Sequence, residues 1–127
     1  MILVVDDVPE TRRLMRRVLE REGLPVVEAA DGVAAMTSIE SVRPRLVVLD
    51  LRLPGASGFE VARWVRAHPD RDVARTMLLA CSASVHAEVE REALDAGCDG
   101  FEGKPFDIRA FAARIAGMLE AGAPAVD

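Results

Sequence analysis

Cysteine, histidine and aromatic residues are scarce in this chain of 127 residues, which has two Cys, two His, four Phe, one Trp and no Tyr. Cys81 and Cys98 lack CxxC spacing, so neither a disulfide framework nor a zinc site is indicated. His68 and His86 sit near predicted helix ends without a partner at ligand spacing, and neither is given a metal or catalytic role. No apolar run approaches the ~18 residues of a membrane span. The apolar start 1–5 meets Asp6 and Asp7 at once, so it has neither the basic start nor the length of a signal peptide. Positive charge is also short: 16 Lys and Arg against 21 Asp and Glu give a net charge of −5. That balance argues against phosphate-backbone binding as the main task. The glycine signatures of P-loops and dinucleotide sites are missing. These absences lead us to expect a cytoplasmic domain with no direct nucleic-acid partner and no membrane partner.

What is present is an alternation of two patterns. A hydrophobic fraction of 50% is too high for disorder, and the length suits one domain that buries roughly two-thirds of its unfolded surface. Short β-rich runs fall at 2–5, 25–28, 46–49, 76–81 and 100–102. The first, the third and 77–81 are apolar throughout, as expected of strands covered on both faces. Between them lie segments of helical period. The first, 10–22, carries Leu14, Met15, Val18 and Leu19 before Gly23; the second, 32–42, carries Val33, Met36 and Ile39 behind an Asp31 cap. The third, 58–67, carries Phe59, Val61, Ala62 and Val65 and is closed by Pro69. Val85, Val89, Ala93 and Leu94 mark a fourth, and Asp107 caps a fifth with Ile108, Phe111, Ala112, Ile115, Met118 and Leu119. Five strands alternating with five helices predict right-handed βαβ units and a three-layer α/β sandwich on a doubly wound parallel sheet. The domain is expected over 1–121, with 122–127 as a short flexible tail.

In such a sheet, ligands bind outside the carboxyl ends of the strands. There the chain places Asp6 and Asp7, then Asp50, then Ser82 and Ala83, and lastly Lys104 before Pro105. If strands 1, 3, 4 and 5 are neighbours, three carboxylates, a hydroxyl and an ammonium converge. Clustered carboxylates do not all stay ionised unaided. An oxygen-only set without His or Cys suits a hard cation, Mg²⁺ or alternatively Mn²⁺. The competing reading of a single strand-end Asp is a cap on the next helix.

These strings carry a family likeness. Ile2-Leu3-Val4-Val5-Asp6-Asp7, Val48-Leu49-Asp50-Leu51-Arg52-Leu53-Pro54 with Gly58, Cys81-Ser82-Ala83 and Gly103-Lys104-Pro105-Phe106 together resemble the receiver domain of bacterial two-component response regulators. The likeness covers essentially residues 1–119. It implies a flavodoxin-like sheet of strand order 2-1-3-4-5, with Asp50 as the acceptor of a phosphoryl group from a histidine kinase or histidine phosphotransfer protein. It further implies Mg²⁺ held by Asp7, Asp50 and the Arg52 backbone carbonyl, with Asp6 through water or sharing the ion. Ser82, Ala83 and Lys104 would bind the phosphoryl group, and Ser82 with Phe101 would form a switch signalling to a downstream protein. Phe101 is read equally well as a plain core residue of the last strand. Pro105 matches the family's cis proline. Arg12, Arg13, Arg16 and Arg17 lie on the helix that serves as partner-docking face in receivers, although a solvated face explains them as well. The sequence departs from the family at Gly55-Ala56-Ser57, where larger apolar and acidic residues are common. Two other readings stand beside this one: a Mg²⁺-dependent phosphohydrolase with an aspartate nucleophile, and a degenerate receiver that binds partners without phosphorylation. The first lacks a second acid near Asp50 and any insertion large enough for a cap.

Overall fold

The computed structural model describes residues 1–84, 86–104 and 107–121. Five parallel strands form one sheet in the order β2-β1-β3-β4-β5: β1 (Ile2–Val5), β2 (Val26–Ala29), β3 (Leu46–Asp50), β4 (Met77–Ser82) and β5 (Gly100–Gly103). The doubly wound three-layer architecture and its strand order are therefore those expected. The register aligns Val5 with Leu49 and Asp50 with Cys81, so the polar residues that end β1, β3 and β4 emerge on one rim.

The central strands are buried on both faces because helices cover both. On one side Leu3, Val5, Val47, Leu49, Leu78 and Ala80 pack with α2 (Gly32–Val42), α3 (Gly58–Arg66) and α5 (Ala87–Asp95). On the other, Ile2, Val4, Leu46, Val48, Leu79 and Cys81 pack with Met15 and Leu19 of α1 (Pro9–Arg21) and with Phe111 and Ile115 of α6 (Ile108–Ala121). Neither face is polar, which is why these strands read as unbroken apolar runs.

The described residues hold six helices, not the expected five. The addition is α4 (Arg71–Ala74), a single turn in the β3–β4 crossover, capped by Asp70, whose side chain accepts from the Asp72 N–H. One turn is too short to show a period. The apolar stripes were also read too wide. Leu14, Val33 and Leu94 are 48%, 64% and 45% exposed, because the arc of each helix that meets the sheet is narrower than its run of apolar residues. Asp31 and Ser57 cap α2 and α3 by accepting from the Ala34 and Glu60 N–H groups. Val85, Pro105, Phe106 and 122–127 lie outside the described residues, and with them the expected cis proline and the expected tail. Among the described residues no helix is long and apolar enough to cross a membrane.

Candidate functional site

The rim at the carboxyl ends of β1, β3 and β5 gathers Asp6, Asp7, Asp50 and Lys104. One oxygen each from Asp6, Asp7 and Asp50 lies within 4.8 Å of the others. Asp6 is fully buried and Asp50 is 6% exposed, whereas Asp7 opens to solvent. Lys104 spans the two buried acids, its Nζ 2.7 Å from Asp6 Oδ2 and 3.2 Å from Asp50 Oδ2. Two of the three carboxylates thus share one ammonium. The remaining oxygens are tied to backbone: Asp6 Oδ1 accepts from the Val8 N–H at 2.9 Å, and Asp50 Oδ1 from the Arg52 N–H at 3.0 Å.

Burial sets the electrostatics. Loss of solvent pushes the Asp50 carboxyl above its ordinary range, opposed by the Arg52 N–H and the Lys104 charge, while Asp6 adds to the rise. Burial pulls the Lys104 ammonium down, but its hydrogen bond to Asp6 and the attraction of both carboxylates outweigh this and leave it raised. Lys104 therefore stays charged at neutral pH. The Cys81 thiol beside Asp50 in the sheet is pushed up to about 12 by burial, which leaves it a packing residue. Cys98 is likewise buried and unbonded.

Glycine makes the acceptor loop fit. A Cβ at Gly58 would sit 2.5 Å from the Asp50 carbonyl oxygen and 2.7 Å from the Leu51 Cα, so the start of α3 can lie against β3 only without a side chain. Gly32, at the start of α2, is pressed in the same way against the Ala56 carbonyl. This contact steadies the Gly55-Ala56-Ser57 segment and has no sequence signal beyond the glycine itself.

The other expected residues divide. Ser82 is buried at the end of β4, and its hydroxyl accepts from the Ser84 N–H at 3.0 Å; Ala83 next to it is exposed. Phe101 is half-buried against the core beneath α5. The four arginines of α1 do not form one free surface. Arg12 pairs with Glu28 at 3.0 Å and donates to the Asp6 carbonyl at 2.7 Å, and Arg16 pairs with Glu28 and Glu20. Arg13 and Arg17 remain exposed. Sequence reasoning missed the link from Arg12 to Asp6, since a bond to a backbone carbonyl leaves no pattern in the sequence.

The oxygen-only donor set, its spacing and its excess negative charge fit a hard divalent cation. Comparison with known proteins decides the family. The response regulator receiver domain model matches residues 2–116. This chain belongs to that family. It is 38% identical over 118 residues to the DNA-binding response regulator MtrA of Mycolicibacterium smegmatis, covering 93% of this chain and 50% of the relative. It is 39% identical over 123 residues to the response regulator MprA of Mycobacterium sp. (strain KMS), covering 97% and 52%. Among solved structures, the chemotaxis response regulator CheY4 of Vibrio cholerae superposes with a TM-score of 0.86 at 26% identity, over 93% of this chain and 97% of that one. The receiver spans about half the length of these curated relatives. The expectation of no nucleic-acid partner falls on this finding. MtrA is a DNA-binding response regulator, and the net charge of −5 describes only the half that this chain matches.

Proposed function

We propose that Asp50 of this receiver accepts a phosphoryl group from a phosphohistidine of a kinase or phosphotransfer protein. The observation carrying this reading is the bridge of Lys104 between two buried carboxylates of β1 and β3, beside the exposed Asp7. A carboxylate oxygen of Asp50 attacks phosphorus in line. The phosphorus–nitrogen bond breaks, its electron pair returns to the imidazole, and an aspartyl phosphate remains. Lys104, held charged by Asp6, pairs with a phosphoryl oxygen as a compact cation. Asp6, Asp7, Asp50 and the Arg52 carbonyl would hold Mg²⁺ or Mn²⁺, which when bound supplies neutralisation of phosphoryl charge. The Ser82 hydroxyl exchanges the Ser84 N–H for the phosphoryl group, Ala83 offers its N–H, and Phe101 answers the movement of the β4–α5 loop.

The domain, taken as 1–121, acts as a cytoplasmic signalling module and not as an enzyme on external substrates. Its output reaches nucleic acid through the remainder of a longer protein, as the name of its relative MtrA suggests. Arg13 and Arg17, free of the Glu28 network that holds Arg12 and Arg16, supply the basic part of the kinase-docking face.

Incubation with Mg²⁺ and acetyl phosphate tests the acceptor. Intact mass should show one acid-stable, base-labile phosphoryl adduct that disappears in Asp50→Asn. No adduct on the wild type would turn the reading to a phosphorylation-independent receiver, and rapid turnover of phosphate esters would turn it to a hydrolase.

A further inference from the structure

At the other end of the sheet, where β3 and β4 begin, a cleft of about 420 Å³ opens between Arg43, Arg45 and Arg75, with Asp72, Thr76 and Met77 completing its wall. Three guanidinium groups against two carboxylates, Asp72 in the wall and Asp70 beside Arg43, leave a cationic spot on a chain whose net charge is −5. Those guanidinium groups are not used up by the fold. Arg75 is exposed and has no side-chain partner among the described residues. Arg45 gives one hydrogen bond, 3.2 Å to the Leu119 carbonyl. Arg43 pairs with Asp70 at 2.6 Å, while its contact with Asp72 is a loose 3.8 Å to a carboxylate that is 79% exposed.

A second observation comes from the cleft wall. Thr76 is 4% exposed, and its hydroxyl is the buried side-chain polar atom left without a hydrogen-bond partner among the described residues. Native proteins pair nearly all such atoms, so the packing around Thr76 leaves a polar group unmet beside the cleft. Arg43 adds a third. It closes α2 at φ 53°, a left-handed position that favours glycine, and this turn sets its side chain in the cleft wall.

We propose that this cleft binds a small phosphate-bearing molecule. Guanidinium groups that approach from separate segments suit the tetrahedral oxygens of a phosphate better than one planar carboxylate, which a single guanidinium fork already satisfies. The half-buried Met77 gives the rest of such a ligand an apolar surface. The cleft lies at the amino ends of the strands, and the acidic rim lies at their carboxyl ends, so occupancy here is independent of the Asp50 site.

Inorganic phosphate is the probe, titrated against ¹⁵N-labelled protein in metal-free buffer with chloride exchanged to hold ionic strength constant. Saturable shifts are expected at the Arg45, Thr76 and Met77 amides, and they should persist in Asp50→Asn. Arg75→Ala and Arg43→Gly, both changes at exposed sites, should each weaken binding at least 10-fold while keeping the wild-type amide spectrum elsewhere. The absence of saturable shifts, or unchanged affinity in both folded variants, would overturn the proposal. A duplex oligonucleotide that moves these amides where inorganic phosphate does not would overturn it too, reassigning the cleft to a nucleic-acid backbone.

Discussion

The Arg66 cluster and the acidic rim, on opposite ends of the sheet, handle charge in opposite ways. At the amino end, Arg66 gives Nε to the Gly97 carbonyl, Nη1 to the carbonyls of Ala74 and Thr76, and Nη2 to Asp99, all between 2.7 and 2.8 Å. Asp99 accepts the Leu78 N–H at 2.8 Å as well, so one guanidinium closes three loops and its charge is met. At the carboxyl end, Lys104 pairs with Asp6 and Asp50, and the Asp7 carboxylate clusters beside them. The first arrangement balances its own charge, and the second keeps an excess of negative charge that fits a hard divalent cation. Saturated charge here marks scaffold, and unsaturated charge marks the site.

The largest expected effect breaks the unsaturated end. Lys104→Met leaves Asp6 and Asp50 buried without their ammonium, which should cost about 3 kcal/mol in metal-free buffer and slow phosphorylation by acetyl phosphate roughly 10²-fold. Denaturation followed with and without Mg²⁺ should show the divalent ion restoring most of the lost stability. Arg66→Ala should cost about 2–3 kcal/mol, because buried carbonyls lose their donor, yet Mg²⁺ should restore none of it and the phosphorylation rate should hold. If the ion rescued both variants equally, or neither, the contrast between the two ends would fail. Smaller again is Arg43→Gly. The left-handed position costs about 1 kcal/mol for a residue with a side chain, and the exposed pair with Asp70 returns less than that. The variant should melt slightly higher than the wild type; a lower midpoint would show the ion pair to be the stronger term.

What could be read in advance follows the same division. β1, β3 and β4 announce themselves as apolar runs because helices cover both faces, and the acids that end them fall on one rim once the strands are neighbours. The meeting of Lys104 with Asp6 and Asp50 was legible for that reason, and the ordered motifs gave the family. Arg66 was not legible, since its partners are mostly backbone carbonyls that any sequence offers. The turn of α4 was too short for a period. Leu14, Val33 and Leu94 extend apolar stripes past the arc that meets the sheet. On α1, helical spacing put Arg12 and Arg16 on the surface with Arg13 and Arg17, and it is the long-range partners, Glu28 on β2 and the Asp6 carbonyl, that separate the pairs. The expectation of no nucleic-acid partner rested on net charge alone, and the charge of a receiver says nothing of what the other half of a relative such as MtrA binds.

The smallest effect tests that separation by pH. The hydrogen bond from Arg16, with help from Arg12, holds the Glu28 carboxyl below its ordinary 4.5 against the opposing effect of burial. A carboxyl depressed in the fold stabilises it above the unfolded value, and the contribution is lost as pH falls through the folded value. Glu28→Gln should therefore be less stable than the wild type at pH 7, by under about 1 kcal/mol because the arginines are partly solvated. The gap should begin to close only below pH 4.5 and vanish in stronger acid. A gap that stayed constant from pH 7 to strong acid would mean that Glu28 contributes through packing and not through charge. Arg16 would then be as free to meet a partner as Arg13 and Arg17, and the docking face of α1 would widen to three, Arg12 staying bound to the Asp6 carbonyl.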